Sequence, residues 1–113
     1  MRIEIRPDAV IITFDTISEN FESGNERNKF FRGLYGWNQV VPKNDKRYVY
    51  RRNGILDEVP HIKIADSAFI VAMEHMKRLI EYFEEWEDKV DYEMMEIMMK
   101  KKEMLRLFSM ENE

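Results

Sequence analysis

An α+β fold follows from three features of this 113-residue sequence. Residues 10–16, VIITFDT, are an apolar, β-branched run of strand length. A capped helical pattern comes next at residues 23–36. An apolar run leading into a helical pattern then recurs at 67–87, and a further strand-length segment lies at 89–97.

Taken in order, the run at 10–16 predicts a buried strand. Pro7 stands just before it, where a missing N–H does least harm. Ser23 and Glu26 have the spacing of a capping box, so a helix begins there. That helix presents Phe30, Phe31 and Leu34 on one side with Tyr35 beside them. Gly36 is its expected C-cap, because glycine adopts the left-handed conformation at little cost. Pro42, Asn44 and Asp45 mark a turn or loop. Arg47–Arg52 alternates in a strand-like way, with Tyr48 and Tyr50 on one face. Asn53–Gly54 is a hairpin dipeptide. Asp57, Glu58 and Pro60 mark another loop over 57–61.

Residues 67–87 admit two readings. SAFIVAM reads as a strand at 67–72 followed by a helix from about Glu74. Yet Phe69, Met73, Met76, Ile80, Phe83 and Trp86 keep helical spacing throughout, and Asp66 is placed to cap one longer helix. The strand is preferred because it completes an architecture. Residues 89–97, KVDYEMMEI, then form a last strand, and 98–110 a helix. The order strand, helix, strand, strand, helix, strand is that of a ferredoxin-like βαββαβ domain with one antiparallel sheet. It occupies residues 1–97, with a helical C-terminal tail over 98–113. One face of such a sheet is left open, and a second copy is the expected cover, so a homodimer is predicted.

Charge is unevenly spread. Residues 27–52 carry Arg27, Lys29, Arg32, Lys43, Lys46, Arg47, Arg51 and Arg52 against Asp45 alone, a net +7. The whole chain stands at −4, so the rest carries −11. The total argues against a nucleic-acid partner, and its distribution does not. Lys and Arg neutralise phosphates, and Trp37, Tyr48 and Tyr50 lie among them, where aromatic rings can stack on bases. The alternative is a solvated face whose charges pair with the acidic remainder.

Asp15 ends the first, central strand. Two copies packed through their sheets would bring two Asp15 carboxylates to one cleft, where paired carboxylates can hold Mg²⁺. A metal so held polarises a phosphate and activates a water. The plainer alternative is an acid that ends a strand and caps a loop or the next helix.

The segments IITFDT, NERNKFFRGLYGWNQVV, SAFIV and KVDYEMMEI together resemble the small CRISPR-associated Cas-two family. That family has an apolar strand ending in Tyr/Phe-Asp, a basic helix ending near Tyr-Gly, and a Val-Gln run into a Ser-Val-Phe strand. The resemblance spans roughly residues 10–97. It implies a dimeric, ferredoxin-like, nucleic-acid-binding protein, and in some members a metal-dependent nuclease. Asp15 then matches the first-strand aspartate as catalytic and metal-holding residue, residues 25–29 the start of the basic helix, and residues 67–69 the Ser-Val-Phe strand. Toxins of the VapD type share the fold. The segment KNDKRYVYRRNGILDEVPHIKIAD is far longer than the corresponding loop, and the tail is Met-rich instead of a short exchanged strand. Fold does not carry function across such differences.

Other features point to less. Met94, Met95, Met98, Met99, Met104 and Met110 crowd the C-terminus, either as ordinary packing or as an adaptable surface for a protein partner. His61 and His75 have no third ligand at metal spacing. Ser18 and Ser67 lack an identifiable base, and Gly33 and Gly36 make no phosphate-binding loop. There is no cysteine, no apolar run of membrane-spanning length, and no signal-peptide centre in MRIEIRPDAV, which predicts a cytoplasmic protein away from membranes. The leading expectation is thus a nucleic-acid-binding homodimer, with a Mg²⁺-dependent phosphodiesterase as its enzymatic form. The alternative is a non-catalytic regulatory or scaffold module that binds protein through its sheet and Met-rich tail.

Overall fold

A computed structural model of the chain describes residues 8–100 and Lys102. In chain order its elements are β1 (Ala9–Thr16), α1 (Gly24–Tyr35), β2 (Trp37–Lys43), β3 (Lys46–Arg52), α2 (Ile55–Glu58), β4 (His61–Ala65), β5 (Ala68–Ala72), α3 (Met76–Glu85) and β6 (Val90–Ile97). Single 3₁₀ turns lie at Ser18–Asn20 and Met73–His75. The described residues thus form an α+β protein whose strands all pair antiparallel, in one sheet of four strands and one of two. Contacts divide them into two compact units, one over residues 8–20 and 60–100 and the other over Phe21–Val59. No helix among the described residues is long and apolar enough to cross a membrane.

The first unit holds the four-stranded sheet, in the order β4-β5-β1-β6. Alternation in β1 explains its central place. Val10, Ile12 and Phe14 point to one face and are buried, while Thr13 and Asp15 point to the other and are exposed. The buried face continues into Phe69 and Val71 of β5 and Val90 of β6, and α3 contributes Leu79 and Phe83. The Phe83 ring meets a ring from each of three strands: Phe14 at 5.5 Å, Phe69 at 6.4 Å and Tyr92 at 5.1 Å. Tilted and offset ring pairs of this kind add to the burial energy of each aromatic.

The second unit is a helix followed by a hairpin. Ser23 caps α1 through its Oγ, which accepts from the Glu26 amide at 3.2 Å. The Glu26 carboxylate returns the bond to the Glu22 amide at 3.0 Å, one residue earlier than a standard box. Phe30 and Leu34 are buried, and Gly36 ends the helix at φ +78°, its amide donating to the Arg32 carbonyl. β2 and β3 then pair along their whole length, from Trp37↔Arg52 to Lys43↔Lys46.

Three expectations need correction here. The hairpin turn is Asn44–Asp45, both at positive φ, as a two-residue type I′ turn requires. Asn53–Gly54 instead leads into α2, where the Gly54 amide donates to Asp57 Oδ2 at 2.9 Å. Arg47–Arg52 is a strand, but it pairs with β2 in the separate two-stranded sheet, so it is not one of the four. That position belongs to His61–Ala65, which begins in the segment read as a loop. Pro42 is no part of a turn. It lies inside β2 opposite Arg47, which a two-stranded sheet tolerates because each strand is an edge. The strand at 67–72 and the helix after it are present as β5 and α3, and the last strand as β6. Of the helix expected over 98–110, Met98–Lys100 form no regular element, and the remainder apart from Lys102 lies outside the described residues.

Candidate nucleic-acid interface

The hairpin register sorts the basic segment into faces. Directly opposed residues in an antiparallel pair share a face. One face therefore carries Trp37 with Arg52, Gln39 with Tyr50, Val41 with Tyr48, and Lys43 with Lys46. The other carries Asn38 with Arg51, Val40 with Val49, and Pro42 with Arg47. The first face combines three aromatic rings with three cations. Tyr48 and Tyr50 are 43% and 48% exposed, which leaves ring surface open to a ligand. The second is apolar at its centre, with Val40 and Val49 exposed.

Cations of α1 join the first face at its Trp37 end. The Arg32 guanidinium lies 4.1 Å from the Trp37 ring centre, a cation–π stack that holds it in place. An open cavity of about 360 Å³ lies there, lined by Asn25, Lys29, Arg32, Gly33, Trp37 and Asn53. Arg27 packs over Phe31 on the same helix, at 4.8 Å. Arg52 sits 5.7 Å from the Tyr50 ring centre and donates through Nε to Gln39 Oε1 at 2.8 Å.

Arg51 is used differently. Its Nη2 donates to both carboxylate oxygens of Asp57, at 2.7 and 2.8 Å, and to the Tyr35 carbonyl at 2.9 Å. Asp57 in turn takes the Gly54 amide. Arg51 thereby joins β3 to the end of α1 and the start of α2. Among the described residues of this unit it is the one cation of the eight held in an ion pair. The other seven have no carboxylate within pairing distance there.

Asp15 lies elsewhere. It is exposed near the end of β1, on the sheet face opposite the core. The register sets it directly across from Asp91 of β6, with Thr13 and Glu93 paired next to them. These residues line an open cavity of about 490 Å³ with Ser67, Phe14 and Tyr92. The sequence reading takes the second carboxylate beside Asp15 from a partner copy, and the chain supplies one itself. The signal is present in the sequence: aligned end to end and antiparallel, ITFDT and VDYEM set the two acids opposite each other. Among the described residues no group of three or more His, Asp or Glu side chains is arranged for a metal. His75 lies 3.6 Å from Glu74, its neighbour in sequence.

No protein-family model, curated protein or solved structure matches the chain.

Proposed function

We propose that this chain is a nucleic-acid-binding protein that engages phosphates through the cations of α1 and the β2–β3 hairpin. The observation that carries this reading is the unpaired state of seven of the eight cations among the described residues of their own unit, on a surface that also presents aromatic rings. The proposal includes a homodimer and a ferredoxin-like first unit. The order β4-β5-β1-β6, antiparallel throughout, supports the latter: with residues 21–59 set aside it is the order of a split βαβ sheet. That order is also in keeping with the Cas-two resemblance.

The test is the salt dependence of binding. Each phosphate neutralised contributes about −0.7 to −0.9 to the slope of log K against log salt. Engagement of four to seven cations predicts a slope between about −3 and −6 for a mixed-sequence oligonucleotide followed by fluorescence anisotropy. A slope shallower than about −1, or no binding at low salt, refutes the reading.

The facing of Asp15 and Asp91 favours an enzymatic form of the same reading. Asp15 and Asp91 would hold Mg²⁺ between them, and the ion, when bound, would supply polarisation of a phosphate and an activated water. Asp15→Asn then abolishes Mg²⁺-dependent strand cleavage while leaving the fold intact. Cleavage at an unchanged rate in that variant ends the enzymatic form and leaves the binding function standing.

A further inference from the structure

Nucleic acid presents two kinds of surface to a basic hairpin. A duplex offers phosphates and base edges, and its base faces are covered by stacking. A single strand offers phosphates and open base faces. A two-stranded ribbon can enter the major groove of a duplex, but it then needs side chains free to bond base edges. On the Trp37–Lys46 face the amide suited to that task, Gln39, has its Oε1 occupied by Arg52 Nε. What the face leaves exposed at its centre is rings. Tyr48 and Tyr50 are two residues apart on one strand, so their side chains emerge about 7 Å from each other. Cations stand at both ends: Lys43 and Lys46 flank the turn, and Lys29 and Arg32 line the cavity beside Trp37.

We infer that this face takes single-stranded DNA or RNA, with bases laid on Tyr48 and Tyr50 and the backbone held at one end by Lys43 and Lys46 and at the other by Lys29 and Arg32. The inference rests on the nucleic-acid reading above and adds the ligand class to it. The hairpin spans about 20 Å between those ends, long enough for several extended nucleotides. Asn25 and Asn53, which line the cavity with Trp37, offer amide donors and acceptors to a base at that end.

Three probes of equal length separate the contributions. They are a thymidine oligomer of about twenty units, the same backbone with abasic sites throughout, and a duplex, with a uridine oligomer added to compare RNA with DNA. The thymidine strand is expected to bind about tenfold or more tighter than either the abasic strand or the duplex, because stacking is available to it alone. Tyr48→Leu combined with Tyr50→Leu should bring the thymidine strand down to the abasic level, with the salt slope unchanged. Tyr48→Phe with Tyr50→Phe keeps the rings and should restore binding, which separates stacking from any loss of hairpin structure. A duplex bound as tightly as the single strand, or an abasic strand bound as tightly as thymidine, overturns the single-strand inference and leaves the phosphate reading in place. Absence of binding to all four probes overturns both.

Discussion

Arg51 is the basic residue whose role the structure separates from its neighbours, and Arg51→Ala is the sharpest test of that separation. The guanidinium makes two contributions to stability. The ion pair with Asp57 is made by the single nitrogen Nη2 and is partly exposed, with side-chain exposures of 45% and 29%, so it contributes about 1 kcal/mol or less. The bond to the Tyr35 carbonyl satisfies an acceptor at the C-terminal end of α1, where a cation also meets the favourable end of the helix dipole, for about another 1 kcal/mol. The variant should therefore lose about 2 kcal/mol, read as a fall in Tm on the order of 8 °C for a chain of this size. Arg47→Ala serves as the comparison. Arg47 lies on an exposed strand and makes no ion pair among the described residues of its unit, so its loss should leave Tm within about 2 °C. Lys46 lies on the ring-bearing face, so the salt slope should flatten by nearly 1 in Lys46→Ala and change little in Arg51→Ala. Urea or thermal denaturation by circular dichroism gives the first quantity, and anisotropy at several salt concentrations the second. The reasoning fails if Arg51→Ala melts with the wild type while its affinity for nucleic acid collapses.

Other expectations rest on single contacts. Like charges directly opposite in a sheet repel, so Asp91→Asn should raise stability by about 0.2–1 kcal/mol in metal-free buffer, and a lower melting temperature would contradict the register read for β1 and β6. A Cβ on Gly54 would collide with the Gly36 amide nitrogen and lie 2.6 Å from the Leu34 carbonyl oxygen. Those atoms are backbone and cannot swing aside, so Gly54→Ala should cost about 3 kcal/mol or more, measurable as a shifted urea midpoint. Burial raises the Tyr82 hydroxyl above its ordinary value of 10.0, with the nearby Glu85 charge adding to the effect and a bond to Trp86 opposing it. The folded chain then holds a proton that the unfolded chain releases. This contribution is whole below pH 10 and is lost as pH rises beyond it, so Tyr82→Phe should flatten the alkaline fall in stability between pH 10 and 12.

The elements legible in the sequence were those with a local physical cause. β1 was marked by its β-branched run, α1 by Ser23 and Gly36, and α3 by the stripe that includes Phe83. The strand at Arg47–Arg52 was legible from its alternation, but because β3 is exposed along its whole length no buried face indicates which sheet it joins. Pro42 inside β2 then argued for a loop. Asn53–Gly54 misled because the same dipeptide serves a tight turn and a close backbone approach, and tertiary contact with Gly36 decides which. The basic surface was visible as composition. Its division into Arg51, spent on Asp57, and seven cations without an ion pair in their unit required the fold, as did the meeting of Asp15 with Asp91.

The backbone contact between positions 36 and 54 also bears on how such a chain diverges. Gly54 leaves room for the Gly36 amide and the Leu34 carbonyl, and Gly36 is required by its own positive φ and by the closeness of Arg51, Arg52 and Asp57, so each resists replacement for its own reason, whereas the outward positions of β3 are at liberty to drift. Kinship with other chains would then be kept longest in a pair of glycines about eighteen positions apart, and would fade first along the exposed strand β3.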